Sequence, residues 1–101
     1  MNPIIIQNQK QLEQLCKIHQ IKQLFAFGSV CTSTFTETSD IDLLVAFLPM
    51  EAADYADNYF VLADKLEALF NRPVDLVTDK SLKNPYFITV LNKTKTLLYE
   101  S

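Results

Sequence analysis

Three aspartates, Asp40, Asp42 and Asp75, are the side chains of this sequence best suited to chemistry. Asp40 and Asp42 are two residues apart at the start of the apolar run 41–45, and side chains at that spacing leave the same face of a strand. Two carboxylates held so close repel each other unless a cation lies between them. Such oxygen ligands suit Mg²⁺, which takes one or two protein carboxylates and completes its shell with waters and substrate phosphates. The pair predicts a magnesium site, although an isolated D-x-D is also typical of a solvated strand end.

A third carboxylate follows later in the chain. Asp75 lies inside the apolar run 74–77, where an uncompensated charge would be costly to bury. If the strand that carries Asp75 lies beside the strand that begins with Asp40 and Asp42, its carboxylate can join the first two.

Gly28 is the only glycine of the chain, whereas an average domain has about 7% glycine. It directly follows the apolar run 24–27, which is typical of a buried strand. Because glycine lacks a Cβ, backbone amides at such a position can approach a phosphate closely. Gly28 is therefore a candidate phosphate-binding residue, with an ordinary turn as the alternative interpretation.

The elements that must position these residues can be read from hydrophobic periodicity and turn residues. In 52–70, the residues Tyr55, Tyr59, Leu62, Leu66 and Leu69 recur at steps of three and four, which predicts a long amphipathic helix. Asn8, followed by Gln11, resembles a helix cap and predicts a first helix over 8–20. The Ser- and Thr-rich segment 29–38 predicts a loop with at most one helical turn. The remaining elements are strands over 24–27, 41–45, 74–77 and 97–99 and a helix over 85–92.

This order of elements predicts a mixed α/β fold of the α+β type, a small mixed sheet flanked by helices. Only about a dozen residues join the first two strands, which favours antiparallel pairing between them. The chain has 101 residues, so we expect one domain over 1–101.

The joint spacing of these motifs resembles a known family. The sequence reads Phe27-Gly28-Ser29, nine residues, then Ser39-Asp40-Ile41-Asp42-Leu43-Leu44-Val45, and later Pro73-Val74-Asp75-Leu76-Val77. This resembles the G-S-x9-S-D-x-D motif and third-carboxylate strand of the DNA polymerase β-like nucleotidyltransferase superfamily, and in particular its minimal nucleotidyltransferases. The chain is similar to the polymerase-β-like palm alone, so a partner is expected to supply the acceptor. Minimal members that resemble it in this respect are commonly antitoxins of the MntA-like type.

The resemblance implies roles for six residues. Gly28 and Ser29 would hold the triphosphate, and Ser39, in the same nucleotide-binding set, would cap the turn and orient Asp40. Asp40 and Asp42 would coordinate two Mg²⁺ ions. Asp75 would bind the second metal and help to activate the acceptor hydroxyl.

The resemblance also implies a function. Such an enzyme transfers a nucleoside monophosphate, here AMP from ATP, to a hydroxyl. In antitoxins of this kind the acceptor is a tyrosine of a helical HEPN-domain toxin. A palm that neutralises its partner by binding alone is the alternative, and a structural α/β domain with incidental Mg²⁺ or Ca²⁺ binding is a third.

One departure from the family pattern concerns the loop. Many minimal members have Arg and Gly shortly after the Gly-Ser pair, where this chain has Thr32 and Ser33. A cation that could bind the triphosphate is therefore missing from the loop. Lys80 or Lys83 could replace it, although both are typical of solvated surface lysines.

Composition narrows the remaining functional classes. With a net charge of -3 and scattered lysines, the chain has no basic patch for direct nucleic-acid binding. The spacing of Cys16 and Cys31 argues against a zinc site and suits a reducing, cytoplasmic compartment. No apolar stretch reaches the roughly 20 residues of a membrane span. The single histidine, His19, is expected to be a packing or surface residue. Tyr55, Tyr59 and Phe60 could form an aromatic platform for base stacking, but aromatic residues at helical spacing are more typical of a core or an interface.

Overall fold

The computed structural model of the chain describes residues 2–31 and 39–101. In these residues helices and strands follow one another in the order α1 (Pro3–Gln7), α2 (Gln9–Ile18), β1 (Ile21–Phe27), β2 (Ile41–Phe47), α3 (Ala52–Phe70), β3 (Val74–Thr78), α4 (Pro85–Thr94) and β4 (Thr96–Glu100). Short 3-10 turns follow β1 and β3, at Gly28–Cys31 and Asp79–Ser81.

The four strands form one mixed sheet in the order β3-β2-β1-β4. β1 pairs antiparallel with both β2 and β4, whereas β2 and β3 are parallel. The parallel pair needs a long crossover, which α3 provides. The predicted mixed α/β fold and the antiparallel pairing of the first two strands are confirmed.

The two faces of the sheet differ in character. On one face, Leu24, Ala26, Ile41, Leu43 and Val45 are fully buried in a core shared with α2 and α3. The alternate residues, including Phe25, Phe27 and Asp42, point to the other face. We call this second face, which also carries Asp75, the carboxylate face. The helix α4 contacts it, because the ring of Phe87 packs edge-on against Phe27 with centroids 6.3 Å apart.

The helix α3 begins and ends where its sequence predicts, at residues 52 and 70. Leu62, Leu66 and Phe70 are its buried residues and form one stripe against the core. Asn71 ends the helix in the left-handed conformation, at φ 54°, two residues before Pro73 directs the chain into β3. No helix within residues 2–31 and 39–101 is both long and apolar enough to cross a membrane.

The N-terminal prediction is incomplete. The helix predicted over 8–20 is present as α2 (Gln9–Ile18), but the apolar residues before Asn8 form a further helix, α1, that was not predicted. Asn2 caps α1 by accepting a hydrogen bond from the Ile4 amide at 3.0 Å, and Pro3 favours the first helical position. The side chain of Asn8 caps nothing and instead donates to the Ile4 carbonyl at 2.8 Å. All four strands and α4 are longer than predicted by one to three residues at an end.

Candidate active site

Asp42 and Asp75 are direct partners in the parallel register of β2 and β3. Partners in a sheet share a face, so both carboxylates belong to the carboxylate face. The strand starts are fixed to each other, because the amide of Ile41 donates to the carbonyl of Pro73 at 3.1 Å. Asp40 directly precedes β2 and is exposed beside this pair. The register therefore brings Asp75 beside Asp42, the part of the predicted meeting that depends on β2 and β3 being neighbours.

The electrostatics of Asp42 reflect these neighbours. Burial raises the pKa of its carboxyl above the usual value, and the charges of Asp75 and Asp40 raise this pKa further. The same cluster acts on Tyr59, whose phenol pKa is raised by burial and then by the charge of Asp75. The carboxylates therefore repel one another, and a bound cation would relieve that repulsion.

Gly28 packs its backbone directly against Asp42. It has a left-handed φ of +71°, and a Cβ at this position would overlap Oδ2 of Asp42 and lie 3.3 Å from its Cγ. Both the conformation and the contact require glycine here. This explains in physical terms why the only glycine of the chain follows β1.

The turn Gly28–Cys31 is fixed on both sides. Val30 is buried with 2% exposure, and the thiol of Cys31 donates to Oγ1 of Thr96 with a distance of 3.7 Å. Ser29 is half-buried between these anchors. The turn therefore lies at the end of β1, between Asp42 on one side and the start of β4 on the other.

Ser39 lies at the start of β2 next to an arginine that the sequence analysis did not identify. Arg72 donates from Nη1 to the carbonyl of Ser39 at 3.2 Å. The guanidinium thereby connects the segment before β3 to the residue that precedes Asp40. Arg72 is the only arginine of the chain, and this rarity is the signal that could have identified it.

The donor set at this site fits Mg²⁺. Among the described residues, no three His, Cys, Asp or Glu side chains are grouped so that together they could hold a metal ion. Mg²⁺ needs only one or two protein carboxylates when substrate phosphates fill the rest of its octahedron. Asp42 and Asp75 supply adjacent carboxylates, and the exposed backbone of Gly28 lies directly against Asp42 without a Cβ that would displace its carboxylate.

Most of the other residues that the sequence analysis names are core or surface residues. His19 is buried, with Nδ1 2.7 Å from Oδ1 of Asn58, as a packing residue would be. Tyr55 and Tyr59 pack against the hydrophobic core, and the ammonium of Lys80 lies 5.1 Å from the centre of the Tyr55 ring. Lys83 is exposed. Thr32, Ser33 and the rest of the predicted loop up to residue 38 lie outside the described residues.

A large open groove of about 820 Å³ lies at the opposite end of the sheet. It is formed where β1 begins and β2 ends, against the first turns of α3, and Met50, Asp54 and Asn58 are among its lining residues. Since the carboxylates lie where β1 ends and β2 begins, this groove is separate from them.

Comparison with known sequences adds independent evidence. Residues 9–98 match a family model described as "Nucleotidyltransferase domain". Two proteins of Methanocaldococcus jannaschii, both named "Putative protein adenylyltransferase", are similar to the chain. One is 43% identical over 67% of this chain and 66% of its own length, just under two thirds. The other is 38% identical over 72% of this chain and 81% of its own length.

Solved structures share the fold. A protein described as "putative minimal nucleotidyltransferase" has a TM-score of 0.77 at 27% identity, covering 95% of both chains. A "toxin-antitoxin with AMP-PNP" has a TM-score of 0.70 at 23% identity, over 93% of this chain and 74% of that one. A "tri-AMPylated Shewanella oneidensis HEPN toxin in complex with MNT antitoxin" has a TM-score of 0.64 at 20% identity, over 95% and 72%. The predicted fold is confirmed.

Proposed function

Because this chain belongs to the nucleotidyltransferase-domain family, as a minimal nucleotidyltransferase, we propose that it transfers a nucleoside monophosphate from a nucleoside triphosphate to an acceptor hydroxyl. One observation carries the proposal. Asp42 and Asp75 are register partners, and the backbone of Gly28 lies against Asp42 where a phosphate can approach. A phosphate-binding turn and paired carboxylates at one sheet edge are what metal-assisted nucleotidyl transfer requires.

Each residue of the site has a proposed role in this reaction. The backbone of Gly28 and Ser29 binds the triphosphate, and Ser39 orients Asp40. Asp40, Asp42 and Asp75 would hold two Mg²⁺ ions, which would stabilise the attacking and leaving oxygens of an in-line displacement. Asp75 faces the acceptor and helps to remove its hydroxyl proton.

The proposed reaction replaces the phosphoanhydride bond at the α-phosphorus with a phosphoester bond. The acceptor oxygen bonds to the α-phosphorus, and the bond from that phosphorus to the oxygen bridging to the β-phosphate breaks. Pyrophosphate leaves, and the hydroxyl proton passes to Asp75 and then to solvent. Nucleoside monophosphate remains on the acceptor as a phosphodiester.

The nucleotide and the acceptor that we propose are ATP and a tyrosine of a HEPN-type toxin, so the chain would act as an antitoxin in the cytoplasm. The support is the naming of the relatives as adenylyltransferases and the AMPylated HEPN toxin in a structure of the same fold. Two free cysteines suit a reducing compartment.

A second function is favoured by one observation, the absence of Arg and Gly at Thr32 and Ser33. A palm with weak triphosphate binding could neutralise its partner by contact alone. The raised pKa of Asp42 opposes this, because a pure binding protein gains nothing from three mutually repelling carboxylates.

The test uses ATP labelled at the α-phosphate, Mg²⁺ and a lysate of the source cells or a purified HEPN-domain partner. The proposal predicts a labelled protein band whose modified residue is a tyrosine carrying AMP, and no band with Asp40→Asn/Asp42→Asn. If neither form transfers label while both bind and inhibit the partner, the chain is a binding antitoxin instead.

A further inference from the structure

Lys95 lies in the same row of the sheet as the catalytic carboxylates. Ala26 pairs antiparallel with Thr96, so the residue before Thr96 lies beside Phe27 on the neighbouring strand. Phe27 in turn pairs with Asp42. The row across β3, β2 and β1 therefore runs from Asp75 through Asp42 to Phe27, and Lys95, directly before β4, lies at its end.

The side chain of Lys95 points to the carboxylate face. Its ammonium lies 4.2 Å from the centre of the Phe25 ring. Phe25 is two residues from Phe27, so both rings lie on the face that carries Asp42. Lys95 itself is half-buried, held there by the ring rather than extended into solvent.

The turn Gly28–Cys31, which we propose binds the triphosphate, lies between Lys95 and the carboxylates. Gly28 follows Phe27, and Cys31 at the end of the turn contacts Thr96, the residue after Lys95. Neighbouring strands are about 4.8 Å apart, so the backbones at Lys95 and Asp42 are separated by roughly 10 Å. A chain of three phosphates that begins near Asp42 and passes over Gly28 runs towards the backbone of Lys95, and the ammonium must leave the Phe25 ring to reach it.

On the basis of the proposed function, we infer that Lys95 binds the β- and γ-phosphates of the nucleotide, and pyrophosphate after transfer. The loop lacks the cation of related sequences, and the protein carries a net charge of -3, so the triphosphate needs a positive partner from elsewhere. Lysine binds phosphate as a mobile point charge, and a cation resting on an aromatic ring can move to a stronger anionic partner. Neither Lys80, which lies over Tyr55, nor Arg72, which donates to the Ser39 carbonyl, belongs to this row.

The experiment measures the binding of Mg²⁺ with α,β-methylene-ATP, whose α-phosphate cannot be transferred, and of AMP, by calorimetry. Lys95→Gln should raise the Kd of the triphosphate about tenfold, as loss of one charge-assisted contact does, and that of AMP less than twofold. Lys95→Arg should keep the triphosphate Kd within about threefold of the unchanged protein. Lys93→Gln, the same charge change at an exposed position two residues away, should leave both constants unchanged.

Each other outcome overturns the inference in a distinguishable way. Equal Kd values for Lys95→Gln and the unchanged protein would show that the lysine does not bind phosphate. Equal losses for the triphosphate and AMP would show an effect on the fold. If the unchanged protein bound no nucleotide with Mg²⁺, the proposed function itself would fail.

A second measurement needs no substitution. Lysines of the unchanged protein are acetylated with and without Mg²⁺ and α,β-methylene-ATP, and the extent at each lysine is read by mass spectrometry. The nucleotide should slow acetylation of Lys95 several-fold and leave that of Lys93 unchanged, whereas AMP should protect neither. Equal reactivity of Lys95 with and without the triphosphate would contradict the inference.

Discussion

Asp42 and Asp75 face each other across the parallel pair β2 and β3, although 33 positions separate them in the sequence. The crossover helix α3 determines this relationship, because its length and buried stripe return the chain to the sheet beside β2. The site is therefore a product of strand register. In the metal-free protein its carboxylates repel one another, and this repulsion should lower the stability of the fold by a measurable amount.

Asp42→Asn should abolish nucleotidyl transfer and yet raise the melting temperature of the metal-free protein. Burial and the charges of Asp75 and Asp40 oppose the ionised form of Asp42, and the amide removes that charge. Scanning calorimetry in the presence of a chelator measures the effect. Asp64→Asn, at an exposed position of α3, is the control for loss of one negative charge. A melting temperature that falls for Asp42→Asn and not for Asp64→Asn would contradict the account.

The same carboxylate predicts a pH dependence of stability. The folded-state pKa of Asp42 is raised, so the folded protein binds a proton more readily than the unfolded chain. The free energy of unfolding should therefore increase relative to Asp42→Asn as the pH falls from neutrality towards the ordinary aspartate value of 3.8. Urea denaturation of both proteins at several pH values in chelator gives this difference. A difference that decreases with falling pH would have the wrong sign.

Gly28→Ala should both destabilise the protein and impair the site. A left-handed φ costs a residue with Cβ about 1 to 2 kcal/mol, and the added atom would displace the Asp42 carboxylate. For a domain of about this size, each kcal/mol lowers the melting temperature by roughly 4 to 8 °C.

Gly28→Asn separates the two effects, because asparagine tolerates the left-handed conformation and still adds a Cβ. It should be more stable than Gly28→Ala and equally defective in binding Mg²⁺ with α,β-methylene-ATP. Full nucleotide affinity in either variant would show that the close contact of residue 28 with Asp42 is not required.

Tyr59→Phe tests how β3 is held. The hydroxyl of Tyr59 donates to the carbonyl of Leu76, the residue after Asp75, at 2.5 Å. Loss of this bond should cost about 1 kcal/mol of stability and lower kcat severalfold through Asp75, with little change in nucleotide affinity.

Tyr55→Phe is the matched control, one turn earlier on the same helix. The Tyr55 hydroxyl is buried and has no hydrogen-bond partner within the part of the chain that the structure describes. Its removal should leave kcat unchanged and stability unchanged or slightly higher. Identical kcat values for Tyr59→Phe and Tyr55→Phe would show that the Tyr59 bond does not position Asp75.

The parts of the fold that follow from local chemistry were predictable. The step of three and four along α3 gives its bounds, and the joint spacing of Gly28 and the aspartates indicates the family. The first helix, α1, was not predicted because Asn8 looks like the first cap in the sequence, whereas Asn2 and Pro3 already start a helix before it.

What sequence could not predict depends on pairing between distant segments. The bond from Arg72 to Ser39 and the place of Lys95 beside Phe27 follow from register, which no local pattern near those residues specifies. The sequence predicts that Asp75 lies near Asp42 only if β3 is the neighbour of β2, and the order of strands in the sheet cannot be read from the sequence.

The most direct test of the central claim compares ATP labelled at the α-phosphate with ATP labelled at the γ-phosphate. Each is incubated with Mg²⁺, a purified HEPN-domain partner and either the unchanged protein or Asp42→Asn. Nucleotidyl transfer predicts that only the α-label reaches the partner, that the γ-label is recovered in pyrophosphate, and that Asp42→Asn gives neither. Transfer of the γ-label to the partner, or equal α-labelling by Asp42→Asn, would contradict the account.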